Sequence, residues 1–171
     1  EAMKTENRAE FLAAIEREMA EMKKRRMTIV DESTLSEDEK QKALRCRFAL
    51  TRKRPTEIES KAGKVTGKAK ARLVAQHLKV LHKLSEAETY TPTPGLTAMR
   101  IAVSGVDLNK KTISATDLDV AYLQANGFRN GRTVMVKFYD PISETIVYAT
   151  LSGVIYGMQT GAREWFDTFK E

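Results

Sequence analysis

Side chains of one character recur at every second position in four separate stretches of this chain: Cys46, Phe48 and Leu50; Ile113 and Ala115, continuing to Asp117; Val134, Val136 and Phe138; and Ile146, Tyr148 and Thr150. A strand turns successive side chains to opposite faces, so this period of two calls for a sheet with a face that must be covered. Met27 to Val30 and Lys68 to Gln76 read as two further strands. The cover is present in the same chain. Between Asn7 and Arg26, Phe11, Ile15, Met19 and Met22 recur at helical spacing, with Glu and Lys on the other faces and basic residues in the last turns. This is an amphipathic helix with a Phe and Met stripe for the core. Ser36 with Glu39 gives a capping box for a short helix before Arg45. Thr93-Pro94 starts another helix, with Leu96, Met99, Val103 and Val106 as its buried stripe. A fourth begins near Ala121, and Thr160-Gly161 opens a last one whose Trp165, Phe166 and Phe169 face the core. The expected class is α+β, an antiparallel sheet with helices packed on one side.

Turn residues divide these elements. Pro55 closes the strand Cys46 to Arg52, and a connection rich in Lys, Glu and Gly, with Gly63 and Gly67, reads as a flexible hairpin link into Lys68 to Gln76. Asn109-Lys110, Asn130-Gly131 and Asp140-Pro141 are further turns. At 171 residues and 42% hydrophobic, the chain has material for one core. No apolar run approaches a membrane span, and the N-terminus lacks a signal peptide's hydrophobic segment, so no membrane partner is expected. The single Cys46 reads as a small core residue in a reducing, intracellular setting, cytoplasmic or nuclear. His77 and His82 stand five apart with no other His or Cys nearby and give no zinc pattern.

The net charge of +6 is unevenly distributed. From Arg45 to Lys79, eleven basic residues against two acidic ones give +9, which leaves −3 for the remainder. Concentrated Lys and Arg fit a polyanion whose phosphates release counterions on binding, or else a solvated basic face.

Ile113, Ala115 and Asp117 share one face of an alternating segment, with the carboxylate at the strand end and an aromatic ring five residues on at Tyr122. An Asp held there is a hard oxygen ligand suited to Mg²⁺, or alternatively the cap of the helix near Ala121. Lys70 and Arg72, two apart in a strand, point to one face and could clamp a triphosphate, Arg by a forked contact and Lys as a point charge.

Four blocks, in order, carry a resemblance. Asp117-Leu-Asp-Val-Ala-Tyr-Leu-Gln-Ala125 resembles the first catalytic motif of copia-type retrotransposon reverse transcriptases, roughly Asp-x-x-x-Ala-(Tyr/Phe)-Leu-x-(Gly/Ala). Lys70-Ala-Arg-Leu-Val-Ala-Gln76 resembles that family's fingers strand, and Glu88-Thr-Tyr-Thr-Pro92, with Arg100 eight residues beyond, resembles its next block. Ile155-Tyr-Gly-Met-Gln-Thr-Gly-Ala-Arg-Glu-Trp165 is similar to its Leu-Tyr-Gly-Leu-x-x-x-x-Arg-x-Trp block. The resemblance runs from about Phe11 to the last residue. It implies a partial reverse transcriptase domain, with fingers and connecting helices over 1–112 and the first part of the palm over 113–171.

The resemblance also implies roles. Asp117 would be the catalytic, metal-binding carboxylate and the Leu118 carbonyl a second metal ligand, for Mg²⁺ or Mn²⁺. Tyr122 would lie under the sugar of the incoming nucleotide and exclude a 2′-hydroxyl. Lys70, Arg72 and Arg163 would belong to the nucleotide site. Where the family often has Gln-Ala-Pro-Arg this chain has Thr160-Gly-Ala-Arg163, so Gln159, one position away, stands in as the candidate sugar contact. The implied partners are an RNA template, RNA–DNA hybrid, deoxynucleoside triphosphates and the rest of a polyprotein: remaining palm, thumb, ribonuclease H and integrase. The family's aromatic-x-Asp-Asp motif is not among these residues, and the chain opens on Glu1 rather than Met. The expectation is a fragment of an RNA-directed DNA polymerase, inactive by itself. The alternative is a catalytically dead or repurposed remnant that binds nucleic acid.

Overall fold

The computed structural model describes residues 7–61, 63, 67–76, 85, 89–92, 95–107, 110, 114, 121–128 and 131–170. Helix α1, Arg8–Arg25, buries Phe11, Ala14, Ile15, Met19 and Met22, the expected stripe with one alanine added. Its last turn carries Lys23, Lys24 and Arg25, which complement the helix dipole, and the Arg26 N–H closes it on the Met22 carbonyl at 2.8 Å. Strand β1, Met27–Val30, follows at once. After a 3₁₀ turn, Glu32–Thr34, helix α2, Glu37–Lys42, begins on the capping box read from Ser36 and Glu39: the Ser36 hydroxyl accepts from the Glu39 N–H at 3.3 Å, and the Glu39 carboxylate accepts from the Ser36 N–H at 2.9 Å.

Strand β2, Leu44–Arg52, and strand β3, Ala69–Ala75, form an antiparallel hairpin, with Cys46 opposite Ala75 and Arg52 opposite Ala69. Their link holds a short helix, α3, Glu57–Lys61, where sequence suggested only a flexible connection. Gly67 closes the link. Its N–H donates to the Lys53 carbonyl at 3.0 Å, and a β-carbon there would lie 2.6 Å from the Arg54 carbonyl oxygen. Helix α4 spans Leu96–Ser104, α5 Ala121–Gln124, β4 Val134–Asp140, β5 Thr145–Leu151 and α6 Gly161–Lys170.

The sheet order is β1-β5-β4-β2-β3. Three pairings are antiparallel, but β2 runs parallel to β4 through Leu44 beside Val136 and Arg45 beside Lys137. The sheet is therefore mixed, a correction to the antiparallel expectation. The cause is topological: β2 reaches β4 by way of another hairpin and not by a tight turn, which removes the constraint that makes sequence neighbours antiparallel. Beyond Arg45 and Lys137 no further pairing joins these strands. A groove of about 500 Å³ opens beside them, floored by Ile15, Cys46, Phe48 and Leu50 and walled by Tyr139 and Pro141.

The core lies between α1 and the sheet, where Ile15, Met22, Leu73, Leu123, Val136, Leu151, Val154 and Ile155 are almost wholly enclosed. Phe48 and Phe138 meet edge to face at 5.8 Å. Cys46 is buried, and burial pushes its thiol pKa up to about 12, as expected of a core residue.

Three apolar patterns came out differently. In α4 the expected stripe is exposed, from 49% at Met99 through 53% at Val103 to 59% at Leu96, with Ile101 at 67%. The helix starts after Gly95; Thr93 and Pro94 lie outside the described residues. In β5 the core face is Val147, Ala149 and Leu151, while Ile146 is exposed; of the parity read from sequence only Tyr148 is buried. In α6 Trp165 packs against the core but Phe169, in the last turn, is 70% exposed. The strand expected over Ile113 to Asp117 lies outside the described residues, Ser114 apart, as do His77 and His82.

Candidate functional site

β3 builds one side of the site. Ala69, Ala71, Leu73 and Ala75 are buried on one face, and Lys70, Arg72 and Val74 take the other. That second face continues onto β2, where Thr51 pairs with Lys70, Ala49 with Arg72 and Arg47 with Val74. Arg45, Arg47 and Arg72 are exposed there, and Lys70 is half-buried. Arg52, counted in the basic segment, belongs elsewhere: it pairs with Glu10 at 2.8 Å, lies over the Phe11 ring, and donates to the Gly67 carbonyl at 3.2 Å.

The chain after β5 builds the other side. Val154 and Ile155 are fully buried, and they bring Tyr156 alongside the end of β3, where the Tyr156 carbonyl accepts from the Ala75 N–H at 2.8 Å. Gly157 follows at φ +84°, so close to the Ala75 carbonyl that no β-carbon fits, and only glycine lets the backbone pass there. The Tyr156 ring receives the Arg72 guanidinium over it at 4.6 Å from its centroid. The Tyr122 ring, from α5, meets Tyr156 at 5.3 Å and 62°. Tyr122 in turn lies beside Gly161 at the start of α6, where an added β-carbon would stand 4.0 Å from the Tyr122 Cε1.

On α6, Arg163 donates through Nε to Asp167 at 3.0 Å and through Nη1 to the Tyr90 carbonyl at 3.3 Å. The second contact ties the Thr-Tyr-Thr-Pro segment to the last block. Gln159 is half-buried, and Thr160 is only 6% exposed.

Glu18 was not singled out by sequence. Its carboxylate, on α1, accepts from the Leu73 N–H at 3.1 Å on the outer edge of β3. Burial raises its pKa above the usual Glu value, against the opposing pull of the Leu73 N–H and of the nearby Arg72 and Lys70 charges. The sequence signal was there to read: Glu18 sits four residues after Ala14 and four before Met22, inside the apolar stripe. Tyr156 was quoted within a block but given no role.

The structure thus brings Arg72, Tyr122 and Tyr156 into one contiguous cluster, with Lys70 on the same strand face as Arg72. Arg163 sits on the neighbouring helix with its own partners. Asp117 and Leu118 lie outside the described residues, and among the described residues no three His, Cys, Asp or Glu side chains gather as a metal site. Mg²⁺ therefore rests on Asp117 by sequence resemblance alone. Among the described residues no helix is long and apolar enough to cross a membrane. No family model, curated protein or solved structure matches the chain.

Proposed function

We propose that this chain is the fingers and first part of the palm of a copia-type RNA-directed DNA polymerase, and that the Arg72–Tyr156–Tyr122 cluster is part of its nucleotide site. The observation that carries the reading is convergence. Arg72 comes from the fingers-like strand, Tyr122 from the Asp-motif block and Tyr156 from the Tyr-Gly block, and the three side chains touch in series. Arg163, in the Tyr-Gly block, reaches the Thr-Tyr-Thr-Pro block through the Tyr90 carbonyl. Blocks that begin up to 85 residues apart along the chain are thus neighbours in space, which supports a shared site.

In this reading Arg72 and Lys70 receive the phosphates of a deoxynucleoside triphosphate, and the Tyr122 ring closes the sugar pocket against a 2′-hydroxyl. Asp117, with the Leu118 carbonyl, would hold Mg²⁺, which when bound supplies charge stabilisation for nucleotidyl transfer. The exposed Arg45 and Arg47 extend the cationic face along β2 toward an RNA template or RNA–DNA hybrid. The remaining palm, thumb, ribonuclease H and integrase of a polyprotein are its proposed neighbours.

One observation favours a second reading, a remnant that only binds nucleic acid. Thr160, where the family often has Gln, is buried, so that position offers no polar contact to a nucleotide. Both readings require phosphate binding by the β3 face. The test is hybrid affinity measured across salt concentration: log K is expected to fall linearly with log salt, and Lys70→Ala with Arg72→Ala should lower the slope by about 2. Binding without salt dependence, or a double variant with an unchanged slope, would sink the proposal.

A further inference from the structure

We infer that Tyr156 is a positioning residue, which fixes the Arg72 guanidinium in place before a polyphosphate arrives; the inference rests on the phosphate role proposed for Arg72. An exposed arginine samples many rotamers, and an anion that captures it must first restrict them. Arg72 is exposed, yet its guanidinium lies over a ring face at 4.6 Å. The ring is itself held. The Tyr156 backbone is bonded to Ala75, three residues along the same strand from Arg72, and Gly157 presses against the Ala75 carbonyl and within 2.7 Å of Val74 Cγ1, measured from where its β-carbon would stand. The second flank of Tyr156 is closed by Tyr122. Cation and sugar-facing ring are thereby set at a fixed spacing by one residue that belongs to neither element. A planar guanidinium can stack on that ring and still present its N–H edge to phosphate oxygens, whereas an ammonium presents no such face and edge.

The test uses the whole chain, titrated calorimetrically with inorganic tripolyphosphate, and records the Arg72 Nε–H resonance by NMR. Tyr156→Leu should weaken tripolyphosphate by about two- to fivefold, the size of an exposed cation–π contact, and move the Arg72 resonance out of its ring-shifted position. Tyr156→Phe, which keeps the ring, should restore both. Arg72→Lys, at an exposed position that folding tolerates, should cost the same two- to fivefold although the charge is kept, and Tyr156→Leu should add nothing to it. If Tyr156→Leu weakens binding equally with Arg72 or with Lys at this position, or leaves the Arg72 resonance unmoved, Tyr156 is merely structural and the inference is overturned alone. If the unaltered chain binds no tripolyphosphate, the phosphate role of Arg72 falls and takes the inference with it.

Discussion

The two faces of β3 are made of different material and held by different means. One face carries Ala69, Ala71, Leu73 and Ala75, all buried, against which α1 packs. The other carries Lys70 and Arg72, whose charges stay near water and cost little to keep. The small residues let the helix come close, and Leu73 is the one large side chain that β3 adds to the space between. The lesson is that the rigid face fixes where the strand lies while the exposed face uses that rigidity to aim its cations.

The comparison breaks most visibly at Leu73. Leu73→Ala leaves a cavity beneath the strand and should cost about 2–5 kcal/mol in urea unfolding, a large part of a domain's stability. A loss much under 1 kcal/mol would mean that the buried face is not what holds β3. Gly157→Ala comes next. It forces a side chain into φ +84° and against the Ala75 carbonyl, so thermal unfolding should report a loss of about 1–3 kcal/mol, together with a shifted Arg72 resonance as the Tyr156 segment moves off β3. An unchanged melting temperature would remove the reason given for glycine there.

Glu18→Gln has the smallest effect and sharpens the comparison at the strand edge. Because burial raises the Glu18 pKa, its favourable contribution is fully present below the ordinary Glu value of 4.5 and is lost as pH rises through the raised one. Gln keeps an acceptor for the Leu73 N–H and carries no charge. The variant should be as stable as the parent at acid pH and equal or somewhat more stable at neutral pH, with tighter anion binding at Arg72 and Lys70 in the neutral range. A variant less stable at neutral than at acid pH, relative to the parent, would reverse the sign and show the ionised carboxylate to be favourable.

Much of the fold was legible because some residues decide their own structure. Phe11, Ile15, Met19 and Met22 can share a face only on a helix, Ser36 and Glu39 bond each other over three residues, and Val134, Val136 and Phe138 alternate without a break. What failed was decided elsewhere. Leu96, Met99 and Val103 make a helical stripe whether or not another element covers it, and in α4 none among the described residues does. In β5, Ile146 and Tyr148 looked as apolar as Val147 and Ala149; which parity faces inward depends on β1 and β4 as neighbours on both sides. The parallel β2–β4 pairing is likewise a long-range fact without a local signature. Of the site, the cations and Tyr122 were readable as chemistry, but their meeting through Tyr156 follows from backbone contacts between Ala75 and Tyr156 that no spacing encodes.

The most direct test of the account is an NMR titration of the chain with a deoxynucleoside triphosphate, following the Arg72 Nε–H and the Tyr122 and Tyr156 ring signals together. One nucleotide site built from three sequence blocks predicts that all three move along a single binding curve. Movement at Arg72 and other surface cations, with both tyrosine rings unmoved, would contradict it and leave only a charged face.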